Sequence, residues 1–330
     1  MPERLIRIRL RLMDVVSDAI STVRTGRPSS RRLRVRGRWC VRLSPYDGAG
    51  FHVVLGGGCL LVPEAGGEPV PLGTGDVVLL PHGAGHWLSD GPVTAAELAR
   101  AVDFEDVRGH DVRDHGVQEQ DLRHGQDVRP RGPCVELLCG KYRLDRGRMH
   151  PLMAELPQVV HLPNRLGAHP ELRSAVDLLA RELDDRRPGA CLALPGLLDL
   201  LLIYMVRAWL DEAESGVWPG ALGDPVTTAA LRALHSDPAA SWTNDRLAQA
   251  AGVSRATLAR RFGSLVGRPP MAYLTWWRLT LAATRLRDTD APLAAVARET
   301  GYAGPYALSH AFRREFGVTP GRYREALRAG

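Results

Sequence analysis

GYAGPYALSHAFRREFGVTPGRYR, residues 301–324, sets arginines between aromatic residues near the carboxyl end of a 330-residue chain. A paler copy, LAQAAGVSRATLARRFGSLVGRPPMAY, begins at Leu247. Gly252 aligns with Gly301 and Ala248 with Ala297 at an offset of 49, while Phe262 aligns with Phe312, Gly267 with Gly317, Pro270 with Pro320 and Tyr273 with Tyr323 at 50. A match at fixed period marks a duplicated unit, and the one extra residue falls in a turn. Each copy predicts a helix ending at a Gly, a short turn, and a second helix with apolar residues at helical spacing, Leu258 and Phe262 in one, Leu308 and Phe312 in the other. The Gly gives the turn the backbone freedom to cross two helices steeply, so each copy reads as a helix-turn-helix. Ser254 is placed to cap its helix, and Pro305 is tolerated only in a first turn.

The segment joining the copies, Pro270 to Asp288, predicts a continuous helix of roughly 28 Å at 1.5 Å per residue. That is close to the ~34 Å between successive major-groove faces of B-DNA, so one chain fills two adjacent groove segments if the duplex bends slightly. Charge points the same way. Residues 226–330 hold fifteen arginines against seven acids, a net +8; residues 1–38 hold eleven against three, again +8; with +6 overall, residues 39–225 carry −10. Positive charge segregated onto helices is the footprint of a nucleic-acid-binding domain beside an acidic partner domain.

An aromatic after Gly, a Phe-Arg-Arg run and then G-x-x-P-x-x-Y-R stand at Gly301, Tyr302, Phe312, Arg313, Arg314, Gly317, Pro320, Tyr323 and Arg324. Residues 226–330 thus resemble the DNA-binding domain of AraC/XylS-type transcriptional regulators, and the resemblance covers the whole domain. It implies that Arg260, in the first recognition helix, reads bases, and that His310 is its equivalent in the second. Ala256 and Ala259 take positions where larger side chains make contacts in the family, and Tyr306 adds an apolar contact. Arg255, Arg261, Arg313 and Arg314 fall to phosphates, with a solvated helix charge as the other reading of Arg261 and Arg314. His310 lacks the fork with which Arg grips guanine. Phe312, Phe316 and Tyr323, spaced by four and seven, share an inward face and belong to the core.

The amino-terminal half reads differently. Val15, Val16, Ala19, Ile20 and Val23 predict a short amphipathic helix opening the first domain. From Arg32 to Ser44 the period becomes two, with Leu33, Val35, Trp39, Val41 and Leu43 on one face and a row of arginines on a solvated outer face, the pattern of one half-buried strand. Short strands follow at 51–55, 59–63, 76–81, 134–144 and 159–162, which predicts an antiparallel sandwich or barrel. Residues 104–132 are too polar to bury and are expected as a mobile excursion, whose His110, His115 and His124 suit no defined metal site.

GDVVLLPHGAGHWLSD, 75–90, matches the second cupin motif, with Pro81, Gly83 and His86 in register. The first motif offers only His52 in FHVVLGGG, so two of the usual metal ligands are missing. The resemblance covers roughly 39–165 and implies a cupin-like all-β barrel, followed by the all-α domain with its two helix-turn-helix units. His52, His82 and His86 are the candidate ligand-pocket residues. A small barrel has room for one small ligand, so a sensor is expected rather than a metalloenzyme, with no cofactor and no metal. A metal-dependent cupin enzyme with an accessory DNA module and a thiol-based redox regulator are the competing readings. Cys40, Cys59, Cys134, Cys139 and Cys191 form an odd set without CxxC spacing, which suits a reducing cytoplasm.

Helices are expected at 169–185 and 194–214, the first stretch after the barrel forming a connector over 166–214. SGVWPGALGDP, 215–225, has the composition of a linker. The apolar run from Leu197 to Leu210 is broken by Asp199 and Arg207, so it reads as a buried or dimer-forming helix and not a membrane span. Residues 1–38 form a basic amino-terminal segment without the marks of a secretion signal, and Met13 is an alternative start. The expected partners are double-stranded DNA, a small-molecule effector, RNA polymerase if the protein activates, and a second copy of the chain.

Overall fold

The computed structural model describes residues 14–106, 111–112, 134–144, 149–185, 188–213 and 215–329. The expected excursion at 104–132 lies outside them apart from 104–106 and 111–112, and so do His110, His115 and His124. The chain divides into two compact units, Val23–Glu212 and a second made of the segment through Thr22 with Ala213–Gly330.

The first unit is built on two sheets. One has six strands in the order β11 (Val160–Leu162), β6 (Val77–Leu80), β3 (Gly48–Gly56), β10 (Cys134–Leu144), β1 (Arg24–Arg36) and β9 (Asp111–Val112). The other has five, β5 (Val70–Gly73), β4 (Gly58–Pro63), β7 (His86–Ser89), β2 (Cys40–Leu43) and β8 (Val102–Asp103). The expected barrel is therefore a pair of facing sheets and not a closed cylinder. Leu33, Val35, Val41, Val54, Leu61, Val78, Leu80, Leu88, Val135 and Leu137, drawn from both, form one buried cluster. Helices α2 (Ala95–Ala99), α3 (Pro151–Glu155), α4 (Pro170–Asp185) and α5 (Ala190–Glu212) complete the unit, and the Tyr142 hydroxyl of β10 donates to the Leu198 carbonyl of α5 at 2.6 Å. Buried on both faces, β6 shields all four of its residues and loses the alternation of a half-exposed strand.

The strand expected over 32–44 is broken in two. Gly37 takes φ 74°, so the chain turns there and passes from β1 in one sheet to β2 in the other. In the arginine row Arg34, Arg36 and Arg38 are exposed, as the pattern predicts, and most of the row is ion-paired: Arg32 and Arg34 both pair with Glu136, Arg38 with Glu97 at 3.0 Å and Arg42 with Glu64 at 2.6 Å. By length and composition α5 is apolar enough to cross a bilayer, a test that core helices also pass. Its Leu198, Leu201, Leu202, Met205 and Val206 are buried within the unit, and Asp199 pairs with Arg24 of β1.

The second unit is helical: α6 (Val217–Gly223), α7 (Pro225–Ser236), α8 (Asn244–Ala250), α9 (Arg255–Val266), α10 (Pro270–Asp288), α11 (Leu293–Glu299), α12 (Pro305–Phe316) and α13 (Pro320–Ala329). The stretch read as a linker is α6, because Trp218 and Ala221 are buried and the Trp218 ring lies 6.5 Å from that of Tyr273. The opening helix α1 (Val15–Val23), expected to begin the sheet domain, instead belongs with this unit through Thr22. Its Asp18 carboxylate accepts from His235 Nδ1 at 2.6 Å, and His235 Nε2 shares a hydrogen bond of 2.8 Å with the Tyr273 hydroxyl. All three residues are buried.

Candidate functional site

The duplication survives in three dimensions. α8 and α9 form one helix-turn-helix and α11 and α12 the other, with α10 between them. The equivalent glycines Gly252 and Gly301 have φ of 68° and 75°, and Gly267 and Gly317, which end the second helices, have 73° and 74°. Ser254 caps α9 by accepting from Thr257 N–H at 3.2 Å, and Pro305 stands in the first turn of α12, where its missing N–H costs nothing. Leu258 and Phe262 turn inward from α9, as Leu308 and Phe312 do from α12. Phe316 and Tyr323 pack on the second core, their rings 4.4 and 5.3 Å from that of Phe312, so the aromatics of the opening stretch hold helices together and do not stack on bases.

The outward faces carry the charge. Arg255, Ala256, Ala259, Arg260 and Arg261 on α9, and Tyr306, His310, Arg313 and Arg314 on α12, are all exposed. Tyr306 is 91% exposed. Arg255, Arg260 and Arg313 have no hydrogen-bonded or ion-paired partner among the described residues. Arg261 differs, since its Nη1 lies 2.9 Å from Asp224 Oδ2, a carboxylate that also caps α7 by accepting from Thr227 N–H at 2.8 Å. Of the two readings of Arg261, a phosphate contact and a solvated helix charge, neither anticipates this ion pair.

The three candidate histidines of the sheet domain separate. His52 on β3 and His86 on β7 come from opposite sheets and meet with their Nε2 atoms 2.7 Å apart. Both are buried, and desolvation drives both below the ordinary imidazole range, His86 to about 4. They line a cavity of about 690 Å³ with Tyr46, Phe104, Cys139 and Lys141. His82 is elsewhere, its ring Nε2 donating to the Leu156 carbonyl at 2.7 Å. Among the described residues no group of three or more His, Cys, Asp and Glu is arranged to hold a metal ion. Sequence reading missed the β10 contribution to this cavity, although Cys139, Lys141 and Arg143 stand at the period that puts them on one strand face.

Two helix-turn-helix units with arginine on their recognition helices, in a chain whose other half is a double-sheet domain with an internal cavity, define a DNA-binding transcription regulator. Residues 14–211 match the cupin family and residues 247–326 the helix-turn-helix domain family. A protein of Streptomyces antibioticus described as an AraC-like transcription regulator is 36% identical over 323 residues, covering 95% of this chain and 99% of that protein. The transcriptional regulator AlkR of Acinetobacter baylyi is 28% identical over 319 residues, with 95% and 99% covered. Among solved structures, the DNA-binding domain of AdpA in complex with a target DNA is 36% identical and covers 32% of this chain and 96% of that one, with a TM-score of 0.31. The chain belongs to the AraC-like transcription regulators and carries a cupin amino-terminal domain.

Proposed function

We propose that this regulator reads a specific duplex site with α9 and α12, under the control of a small effector held between the sheets, and that it works in the cytoplasm as a homodimer and without catalysis of its own. Where it activates, RNA polymerase is the further partner. The observation that carries the DNA reading is the repeated pair of recognition helices, whose inner faces are core and whose outer faces present Arg255, Arg260 and Arg313 unpaired among the described residues. Arg260 and His310 are assigned to base edges, Tyr306 to an apolar base contact, and Arg255, Arg313 and Arg314 to phosphates.

The thiol-sensing alternative is weakened at two positions. Burial pushes the Cys59 thiol up to about 12 and Cys139 higher still, which leaves almost no reactive thiolate there at neutral pH. The experiment is selection of bound sequences from a random duplex pool by the full-length protein, followed by titration of the selected site at several salt concentrations. A defined motif is expected, with an affinity that falls steeply with salt because several phosphates are neutralised. Enrichment of no sequence, or an affinity indifferent to salt, would refute the reading.

A further inference from the structure

The cavity between the sheets is chemically polarised, and its two ends ask for different groups. At the inner end, His86 Nδ1 lies 3.0 Å from the Ala84 carbonyl, an atom that can only accept. That nitrogen therefore carries the proton, and in the neutral ring Nε2 is bare. His52 Nε2, 2.7 Å away, must be the donor of the pair, which leaves His52 Nδ1 as a lone pair. This lone pair is buried and has no hydrogen-bond partner, and the Tyr46 hydroxyl on the same cavity wall is likewise unpartnered. Buried acceptors are costly to leave unmade, so the site is built for something that donates.

The outer end is cationic. In the pairing of β3 with β10, His52 faces Cys139, Gly50 faces Lys141 and Gly48 faces Arg143, so Arg143 stands roughly 13 Å along the strand from the His52 level at 3.3 Å per residue. A Cβ at Gly50 would stand 2.9 Å from the Tyr46 hydroxyl, and glycine there keeps the middle of the trough open. Arg27 lines the same cavity, from the irregular stretch of β1 between Thr25, paired with Arg143, and Ser29, paired with Lys141. The other charges of the lining are engaged. Lys141 pairs with Glu105, Asp103 accepts from the Ser44 hydroxyl at 2.7 Å, and Arg31 donates to the Phe104 carbonyl at 3.2 Å. Arg27 and Arg143 have no ion-paired or hydrogen-bonded partner among the described residues.

We propose that the cavity takes a small, elongated organic acid, its carboxylate held by Arg27 and Arg143 and a hydroxyl or N–H at its far end donating to His52 Nδ1. This deepens, and rests on, the reading that the sheet domain holds an effector. The volume is that of a drug-sized ligand site, and Tyr46 and Phe104 supply apolar wall for the body of such a molecule.

Calorimetric titration of the full-length protein with three matched probes tests the proposal. 4-Hydroxycinnamate carries both groups, cinnamate lacks the donor, and 4-hydroxycinnamamide lacks the charge. The first should bind at least about tenfold more tightly than either of the others, the scale of one lost charge-assisted or buried hydrogen bond. Changing both Arg27→Gln and Arg143→Gln should abolish the preference for acid over amide and keep that for hydroxyl; His52→Phe should do the reverse. The arginines are exposed, so those variants provide a folded test even if His52→Phe does not fold. Equal binding of acid and amide, preferences unmoved in the folded variants, or no binding by any of the three overturns the proposal. A thermal-shift screen of anionic, neutral and cationic small molecules keeps the two readings apart. Stabilisation by neutral or cationic compounds alone leaves an effector site standing and removes the acid, whereas stabilisation by none removes both.

Discussion

The labour assigned above to single side chains on the two recognition helices, base reading for some and phosphate contact for others, can be measured. Arg260→Ala should cost about 1–3 kcal/mol at the cognate site and relax specificity at one base pair, whereas Arg313→Ala should weaken all sequences alike. A panel of single-base variants separates the outcomes, and identical patterns for the two substitutions would dissolve the distinction. Arg261→Ala should change the salt dependence less than Arg255→Ala does, because Arg261 is already engaged by Asp224 at 2.9 Å. The paired turn glycines make a sharper comparison. Both have positive φ, which costs an Ala about 1–2 kcal/mol. A Cβ at Gly252 meets nothing within 4 Å, but at Gly301 it would stand 2.8 Å from the backbone of Ala239. Gly301→Ala should therefore lower the melting temperature more than Gly252→Ala, and the same drop in both would show that the backbone near Ala239 yields freely. His86 gives a pH effect whose sign is fixed. Its folded pKa of about 4 lies below the ordinary 6.5, so between these values the unfolded chain binds more protons, and the stabilisation present above pH 6.5 is lost as pH falls towards 4. His52, lowered in the same way, acts in the same direction. Melting curves across this window should show the loss, on the order of 3 kcal/mol at most from His86, and a flat profile would mean that the histidines are not buried in neutral form.

Elements with a strong local pattern are legible in the sequence, and those that are very short, rich in Gly and Pro, or fixed only by a remote partner are not. Helices α8 to α12 follow from a repeat in which the same apolar positions and the same glycines recur, so each copy corroborates the other. Strands β3, β4, β6, β10 and β11 were visible as short apolar runs between Gly- and Pro-rich turns. Strand β5 and the cavity strand β7 were missed, since Val70–Gly73 contains a Pro and His86–Ser89 is only four residues long inside a stretch read as a motif. Helix α6 was hidden by its Gly and Pro content, and only the burial of Trp218 explains why the segment is ordered as helix. The placement of α1 is the clearest case. Nothing in the local pattern of residues 15–23 says that Asp18 meets His235, 217 positions away, under the Tyr273 and Trp277 rings. Loss of that carboxylate should leave a buried imidazole nitrogen without its acceptor. Asp18→Ala is therefore expected to destabilise the helical unit by about 1–3 kcal/mol, read as a lower denaturation midpoint of the full-length protein. An unchanged midpoint would show that water replaces Asp18 without cost. The same contact warns against excising the DNA-binding unit at Val226, because such a fragment lacks both Asp18 and Trp218.

For the molecule as a whole, the remaining step is how many chains act together, and α5 narrows the answer. Helical spacing sets Leu198, Leu201, Leu202, Met205 and Trp209, all in the run read as a buried or dimer-forming helix, on one stripe. Leu198, Leu201, Leu202 and Met205 are buried within the sheet unit, so they are spent on packing, and a charge at Leu201 or Leu202 would unfold that unit before it reported on assembly. The apolar surface left over lies on the opposite side of the helix, where Leu192 is 79% and Leu200 42% exposed, with Leu178 of α4 at 51%. These side chains, and not the inner stripe, are the candidates for a dimer contact. Two chains bring four recognition helices to a repeated operator, and linkage of this kind raises affinity by about 10²–10⁴ over a single site without new contacts to DNA. Sedimentation of the wild type beside the Leu192→Glu, Leu200→Glu double variant tests the assignment, with circular dichroism to show that the variant is folded. The wild type should be dimeric and the variant monomeric, and only the variant's affinity for the two-site operator should collapse while that for an isolated half-site holds. A folded variant that remains dimeric would move the interface off this face, and a monomeric wild type would remove the dimer from the account of how two such sites are read.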